Sequence, residues 1–213
     1  MTDTLVNYSI FSAADSEEMS RLLGEVFAEQ DPPALAVGLT VVEFEAFVRL
    51  YGPKADAEGL SIVARSAATG KMVGALLAED SATEPPAGHD QLSPKFAPIF
   101  DILGQLDAEY SGGRSKQLAE SVHLFLLGVA LSHAGRGVAK RLVAECLANG
   151  ISKRFSIALT EATNKKSQHL FRKQGFIDRV RRSYKDHRFE ERAFFTSITE
   201  QEGPILMEKY LSP

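Results

Sequence analysis

The stretch Leu127-Gly-Val-Ala-Leu-Ser-His-Ala-Gly-Arg-Gly-Val-Ala-Lys-Arg-Leu-Val143 decides how the rest of the chain is read. It is entered through Val122–Leu131, a run so apolar that it predicts a strand covered on both faces. Ser132 to Gly137 then form a glycine-bearing turn. A helix follows, with apolar positions at Val138, Ala139, Leu142, Val143, Cys146 and Leu147, and Asn149-Gly150 closes it. Strand, glycine turn and helix start make a site for an anion. Backbone amides converge there, and aligned peptide dipoles leave about half a positive charge at the helix N-terminus. Gly135 and Gly137 let the main chain bend and let a phosphate come close, with Arg136 and Lys140 as added charges. Two familiar phosphate loops do not fit. The dinucleotide pattern wants a third glycine where Lys140 stands, and the P-loop's Gly-Lys-Ser/Thr is absent. A Gly-x-Gly by itself is also an ordinary tight turn before a helix, so the reading needs support from elsewhere.

Working downstream, Phe155–Leu159 reads as a strand, and Asn164 caps a short helix that ends at Gly175-Phe176. Strand-like stretches near Ile177–Tyr184, Ala193–Ile198 and Ile205–Leu211 finish the chain. Upstream, Val6–Phe11 reads as a strand, followed by Asp15 and Glu18 in capping-box spacing. Met19, Leu22, Leu23, Val26 and Phe27 then form one apolar helical stripe, which stops at Asp31-Pro32-Pro33. A second helix opens at Thr40, with Glu43 three residues on, and runs to Gly52-Pro53. Leu60–Ala64 and Met72–Leu77 read as neighbouring antiparallel strands. Residues 79–90 have a loop composition, Phe96 to Leu106 an inserted helix, and Ser111-Gly112-Gly113 its end. The class is therefore α/β (α+β), with a mixed central sheet of about six to seven strands flanked by helices. One domain over residues 1–213 carries an insertion around 79–121.

Composition narrows the function. The chain of 213 residues is 44% hydrophobic and 24% charged, with a formal net charge of -4. That is globular, and it lacks the basic footprint of a nucleic-acid binder. No apolar stretch is long enough to span a bilayer, and the N-terminus does not read as a signal peptide, so the expectation is a cytoplasmic protein away from membranes. The single cysteine excludes an intrachain disulfide. No grouping of His, Asp and Glu suggests a metal.

The quoted stretch resembles motif A of the GNAT superfamily of N-acetyltransferases. Asn164-Lys-Lys-Ser-Gln-His-Leu-Phe-Arg-Lys-Gln-Gly-Phe176 resembles its motif B, in the family's order and on the element types the family requires. The resemblance implies a GNAT-like acyl-CoA N-acyltransferase fold and acetyl-CoA (coenzyme A) as co-substrate, wedged between Leu124–Leu131 and Phe155–Leu159. It implies that the main chain of Val129 and Leu131 holds the pantetheine arm. The amides of Gly135, Arg136, Gly137, Val138, Ala139 and Lys140 would hold the diphosphate, and Asn164 would approach from the next helix. There are two departures. Ala134 stands where the family usually has Arg or Gln, and Phe171 stands in place of the tyrosine that protonates the departing thiolate. A weaker likeness is to insect-type arylalkylamine N-acetyltransferases, through Phe27-Ala-Glu-Gln-Asp-Pro-Pro-Ala, Ser167–Phe171 and Tyr184-Lys-Asp. That branch has Asp-Glu-Pro with the Glu as base. Here the triplet is Gln30-Asp31-Pro32, which gives Asp31 the base position.

The chemistry asks for such a group, because an alkylamine with a pKa near ~10 must lose a proton before it attacks a thioester. Asp31 is the first choice, against the plain reading that it ends a helix before two prolines. Glu29, on the same turn, reads as solvated. His123, at the start of the central strand, is a second candidate for base or acid, against a structural histidine. Ser167 or Tyr184 could protonate the thiolate, against capping and packing roles. Cys146 lies on an apolar stripe and reads as core, which favours direct transfer in a ternary complex. A backbone amide near Leu127–Val129 is the candidate oxyanion donor. Phe44, Phe47, Tyr51 and Pro98–Leu106 are expected to shape the pocket of a small-molecule primary amine. Two alternatives stand beside this: an acetyltransferase for protein N-termini or lysines, and a non-catalytic acyl-CoA-binding module. The sequence admits a homodimer without specifying one.

Overall fold

The computed structural model describes residues 5–112 and 120–212. Seven strands form one sheet in the order β1-β2-β3-β4-β5-β7-β6. They are β1 (Val6–Ile10), β2 (Ile62–Ser66), β3 (Met72–Asp80), β4 (Ser121–Val129), β5 (Ile157–Ala162), β6 (Ile177–Arg181) and β7 (Ile205–Tyr210). Every neighbouring pair is antiparallel except β4 and β5, which are parallel. A parallel pair needs a crossover, and α5 (Val138–Ser152) supplies it. The mixed sheet expected from the sequence is the one observed.

Helices cover both faces. On one, α1 (Ser16–Gln30), α3 (Val41–Glu58) and α4 (Ala97–Ser111) bury Met19, Leu23, Phe44, Phe47 and Ile102 against Ala75, Leu77 and Leu126 of the sheet. On the other, α5 and α6 (Lys165–Lys173) bury Leu142, Val143, Cys146 and Phe171 against Ile62, Leu76, Val122 and Leu124. The near-continuous apolar character of β4 follows from this double cover.

Several local readings change in the fold. Asp15 and Glu18 do not form a capping box with each other. Asp15 pairs with Ser12, and both carboxylates hold Arg65 of β2, at 2.6 and 2.5 Å. Glu18 also accepts from the Met72 amide at 2.7 Å, so it ties α1 to the β2–β3 hairpin. Asp31-Pro32-Pro33 ends α1 as expected, but Pro32 also opens a short helix, α2 (Pro32–Val37), with Asp31 as its N-cap. Proline suits that first position because no amide is needed there. The second long helix does not stop at Gly52-Pro53. It continues to Glu58 and ends on Gly59 in the left-handed conformation. Gly52 serves packing, since a Cβ there would lie 2.7 Å from Ser16 Oγ at the start of α1. Beyond Pro53 the helix is held by buried Ala55 and by Lys54, which reaches Glu79 at 2.6 Å. Ala193–Ile198 forms no strand; buried Phe195 there pads Tyr184, ring centroids 5.3 Å apart. Gly113, expected to help close α4, lies outside the described residues. No helix among them is long and apolar enough to cross a membrane.

Candidate active site

The parallel pair does not stay paired. β4 and β5 are in register only at Ser121–Ile157, Val122–Ala158 and His123–Leu159. Beyond that point β4 runs on to Val129 without a ladder partner on this side. The last polar tie is the Thr160 hydroxyl, which donates to Leu124 O at 2.8 Å. The register with β3 tells which groups face the gap. Ala130 N donates to Val73 O, so the neighbouring pairs Val129–Gly74 and Leu127–Leu76 are the non-bonded ones of the antiparallel ladder. The amides and carbonyls of Leu127 and Val129 therefore point into the fork. Leu131 does not extend the strand. It starts a 3-10 turn, Leu131–His133, and its side chain is exposed.

At the fork's open end lies the glycine turn. Gly135 and Gly137 have φ of 73° and 81°, a region that costs other residues a steric penalty. A Cβ at either would meet nothing within 4 Å, so the main chain is open to an approaching group. Gly137 caps α5 without any side-chain bond, leaving the first helical amides, from Val138 to Lys140, aimed outward. Val138 is buried, Ala139 half-buried, and Ala134, Arg136 and Lys140 are exposed. A diphosphate fits these residues by its chemistry: converging amides, a helix N-terminus and room at both glycines. Gln174 joins the two helices by donating to Lys140 O at 2.7 Å. Asn164 is the N-cap of α6, accepting from Ser167 N at 3.0 Å. Phe171 is buried edge-on against Phe176.

Asp31 is brought to the end of β5. Its carboxylate accepts a hydrogen bond from the Thr163 hydroxyl at 2.6 Å and one from Ala34 N at 3.3 Å. Thr163 directly follows β5, across 132 residues of sequence from Asp31. The Asp31 side chain is buried, and loss of solvation pushes its pKa up to about 6, partly opposed by those two donors. A carboxylate with that value is ionised at neutral pH yet basic enough to take a proton. Glu29 is exposed. Tyr184 is buried beside Asp31, and its hydroxyl donates to Thr163 O at 2.8 Å. Burial, with the Asp31 charge, raises its pKa. Ser167 completes the Asn164 capping box, its hydroxyl donating to Asn164 O at 2.9 Å. Asp31, Thr163 and Tyr184 thus form one constellation. Thr163 had no signal in the sequence, because only the tertiary contact sets it apart from other threonines.

His123 lies at the root of the fork, in a different environment. Nε2 is 2.5 Å from Glu161 Oε2 and Nδ1 is 3.3 Å from Glu79 Oε1. Burial alone would favour the neutral ring, but the two carboxylates raise its pKa well above the usual 6.5. Asp107 of α4 joins the group: burial and the neighbouring Glu161 charge push its carboxyl up to about 8. Lys54 completes the row on Glu79. With both ring nitrogens committed as donors, His123 has no lone pair to offer as a base, and it holds the strands together where they part.

Phe44, Phe47 and Tyr51 are buried in an aromatic cluster with Phe96, Phe100 and Phe125, so α3 and the start of α4 pack ring on ring. Cys146 is fully buried, and burial pushes its thiol up to about 12. It is core, as the sequence indicated.

Residues 106–176, about a third of the chain, match the sequence model of the Acetyltransferase (GNAT) family. The likeness read from the two motifs is borne out. No curated protein sequence matches at a significant level. Among solved structures, the C-terminal condensation domain of Ebony in complex with beta-alanyl-dopamine superposes with a TM-score of 0.88 at 15% identity, over 97% of this chain and 99% of that one. Arylalkylamine N-acetyltransferase 2 from Aedes aegypti gives 0.80 at 19% identity, over 97% and 99%. The polyamine N-acetyltransferase of Drosophila melanogaster, which forms N-acetylagmatine, gives 0.77 at 17% identity, over 97% and 100%. At these identities the likeness establishes the fold, that of the GNAT N-acetyltransferases.

Proposed function

We propose that this chain is an N-acetyltransferase that passes the acetyl group of acetyl-CoA directly to a small primary amine within a ternary complex. The observation that carries the reading is Asp31: a buried carboxylate, with a pKa of about 6, tied by Thr163 to the end of β5 where the parallel pair has opened.

The donor's diphosphate rests on the amides around Gly135–Lys140, and its pantetheine arm enters the fork to meet the main chain of Val129. Asp31 takes the proton of the ammonium group, directly or through water, and frees the nitrogen lone pair. The nitrogen attacks the thioester carbonyl, and a fork-facing amide of Leu127 or Val129 receives the developing oxyanion. The intermediate collapses by breaking the carbon–sulfur bond; the thiolate leaves, and the nitrogen gives up its second proton to solvent, so that a neutral amide remains. Cys146 takes no part, because a buried thiol held near 12 supplies no nucleophile. Two of the three compared structures are named for the N-acetylation of small amines, and the third is bound to beta-alanyl-dopamine. That supports a small-molecule acceptor over a protein one.

The likeness to the condensation domain supports a second reading of the donor, in which an aminoacyl thioester such as β-alanyl replaces acetyl. The deciding assay measures thiol release from acetyl-CoA and β-alanyl-CoA with a panel of arylalkylamines and polyamines. Release with acetyl-CoA and at least one small amine is expected. Coenzyme A binding with no release from either donor would make the chain a binding module instead.

A further inference from the structure

The sheet ends in two edges that differ in kind. β6, at one end, carries Asp178, Arg179 and Arg181, and its register slips between Asp178 and Val180. Charge and irregularity are how edge strands avoid pairing with other chains. β1, at the other end, reads Val6-Asn-Tyr-Ser-Ile10, with no charge, no proline and a regular register on β2. Ile10 is 51% exposed and Leu5, just before the strand, 68%. Nothing in its composition guards this edge.

The ladder fixes which backbone groups are free. Ala67 N donates to Leu5 O, and Phe11 N donates to Ser61 O. Inward and outward residues alternate along an antiparallel strand, so Asn7 and Ser9 also bond to β2. The amides and carbonyls of Val6, Tyr8 and Ile10 point away from the sheet. The side chains of Val6 and Tyr8 pack on the α5 face. There a hollow of about 290 Å³ opens beside the strand, lined by Tyr8, Ile10, Glu145, Ala148 and Asn149. Burial raises the pKa of the Tyr8 hydroxyl, while Arg141 and Glu145 act on it in opposite directions. Those two residues, paired at 2.5 Å on successive turns of α5, therefore flank Tyr8, with Glu145 on the side of Ile10.

We propose that the β1 edge is the interface of a homodimer, in which two copies pair antiparallel about a two-fold axis at Tyr8. In that register Tyr8 lies opposite Tyr8 of the second copy, and Val6 lies opposite Ile10. Each outward amide and carbonyl then meets its complement. The axis reverses the strand direction, which sets Arg141 of one copy beside Glu145 of the other. Val6 and Tyr8 of the second copy cover the hollow. This match of charge and register with itself selects a second copy of the chain over an unrelated strand. β2 and β3 separate the seam from the fork, so both clefts stay open. One short strand from each copy makes a small interface, with a dissociation constant of about 10 µM.

Sedimentation velocity of the full chain, from about 1 to about 200 µM, should show a 23.2 kDa monomer giving way to a dimer. Amide exchange read residue by residue by NMR at both ends of that range tests the seam without any variant. The amides of Val6, Tyr8 and Ile10 should slow by about fivefold at the higher concentration, while those of Asn7 and Ser9, already bonded to β2, stay unchanged. Tyr8→Lys and Tyr8→Asp each set like charges face to face on the axis, so each should remain monomeric. An equimolar mixture of the two should dimerise again. An unaltered chain that is monomeric throughout would overturn the proposal. So would a dimer whose Val6, Tyr8 and Ile10 amides exchange at the monomer's rate, or one that persists in either variant. Folded variants that fail to associate when mixed would overturn it as well.

Discussion

Replacing Asp31 by Asn should make the protein more stable and less active, with the stability gain tied to pH. The folded state holds the Asp31 proton with a pKa of about 6, against an ordinary value of 3.8. The group's contribution is therefore fully favourable below 3.8, where it is protonated in both states. It is lost as pH rises through about 6. At about 1.4 kcal/mol per tenfold change in the proton equilibrium, the ionised carboxylate costs about 3 kcal/mol above pH 7. Asparagine mimics the neutral acid. It keeps an acceptor for Ala34 N, and the Thr163 hydroxyl can turn to accept from the new amide. Chemical denaturation of both proteins from pH 4 to pH 8 should show the variant more stable by about 2–3 kcal/mol at pH 8, shrinking to about zero at pH 4. The corresponding rise in Tm at pH 8 is about 5–10 °C. Over the same range kcat/KM should fall by about 100-fold or more, as expected when a positioned base is removed. A stability difference that is flat across pH would refute the burial argument. Full activity with an unchanged pH profile would remove Asp31 as the base.

Thr163→Val deletes the hydroxyl that stabilises the Asp31 charge, so the acidic limb of the pH–rate profile should move up from about 6 by about one pH unit or more; a stationary midpoint would separate Thr163 from the base. Gly137→Val forces a branched residue into a φ of 81° and fills the open side of the turn. Calorimetric titration should show coenzyme A affinity reduced at least about tenfold, the cradle being main chain, and retained affinity would contradict it. His123→Leu leaves Glu161 buried without its cation and Glu79 with Lys54 alone, and denaturation at pH 7.5 should show a loss of about 3–5 kcal/mol. Burial opposes the ionisation of both carboxylates, but His123 holds their pKa values below the usual range. The loss should therefore shrink as pH falls and they protonate. A loss independent of pH would point to packing alone.

The parts of the site that could be read in the sequence are those built by local backbone chemistry. Gly135 and Gly137 take the left-handed conformations that their residue type favours, and Asn164 caps the helix it precedes. The Gln30-Asp31-Pro32 triplet singles out Asp31 as a candidate, and its place as N-cap of α2 fits the same residues. What was not legible depends on contacts far apart in sequence. His123 reads as a free candidate until Glu161 and Glu79, 38 and 44 residues away, close on its two nitrogens. Thr163 acquires meaning only from its contact with Asp31. Pro53 misleads for the same reason: its local cost is outweighed by Tyr51 and Ala55 in the core and by the Lys54 contacts on β3. The strand expected at Ala193–Ile198 shows the converse, where apolar residues serve as packing without a ladder.

Phe171 raises the question of what protonates the departing thiolate, and the structure narrows it. Both hydroxyls considered for the task already spend their protons, Ser167 on Asn164 O and Tyr184 on Thr163 O. Tyr184 is also raised by burial and by the Asp31 charge, which makes it a poorer acid still. A thiol is nevertheless more acidic than an alkylammonium, with typical pKa values near ~8.5 and ~10. Once Asp31 has taken the amine's proton, the intermediate therefore expels sulfur more readily than nitrogen, and no acid is required. On this argument one ionisation controls the rate below neutrality, and no descending limb should appear between pH 7 and pH 9. Tyr184→Phe then loses one hydrogen bond, costs about 1 kcal/mol of stability, and leaves kcat within about threefold. A fall in kcat of more than about 100-fold in a folded variant, with a descending alkaline limb abolished, would make Tyr184 the acid and overturn unassisted departure.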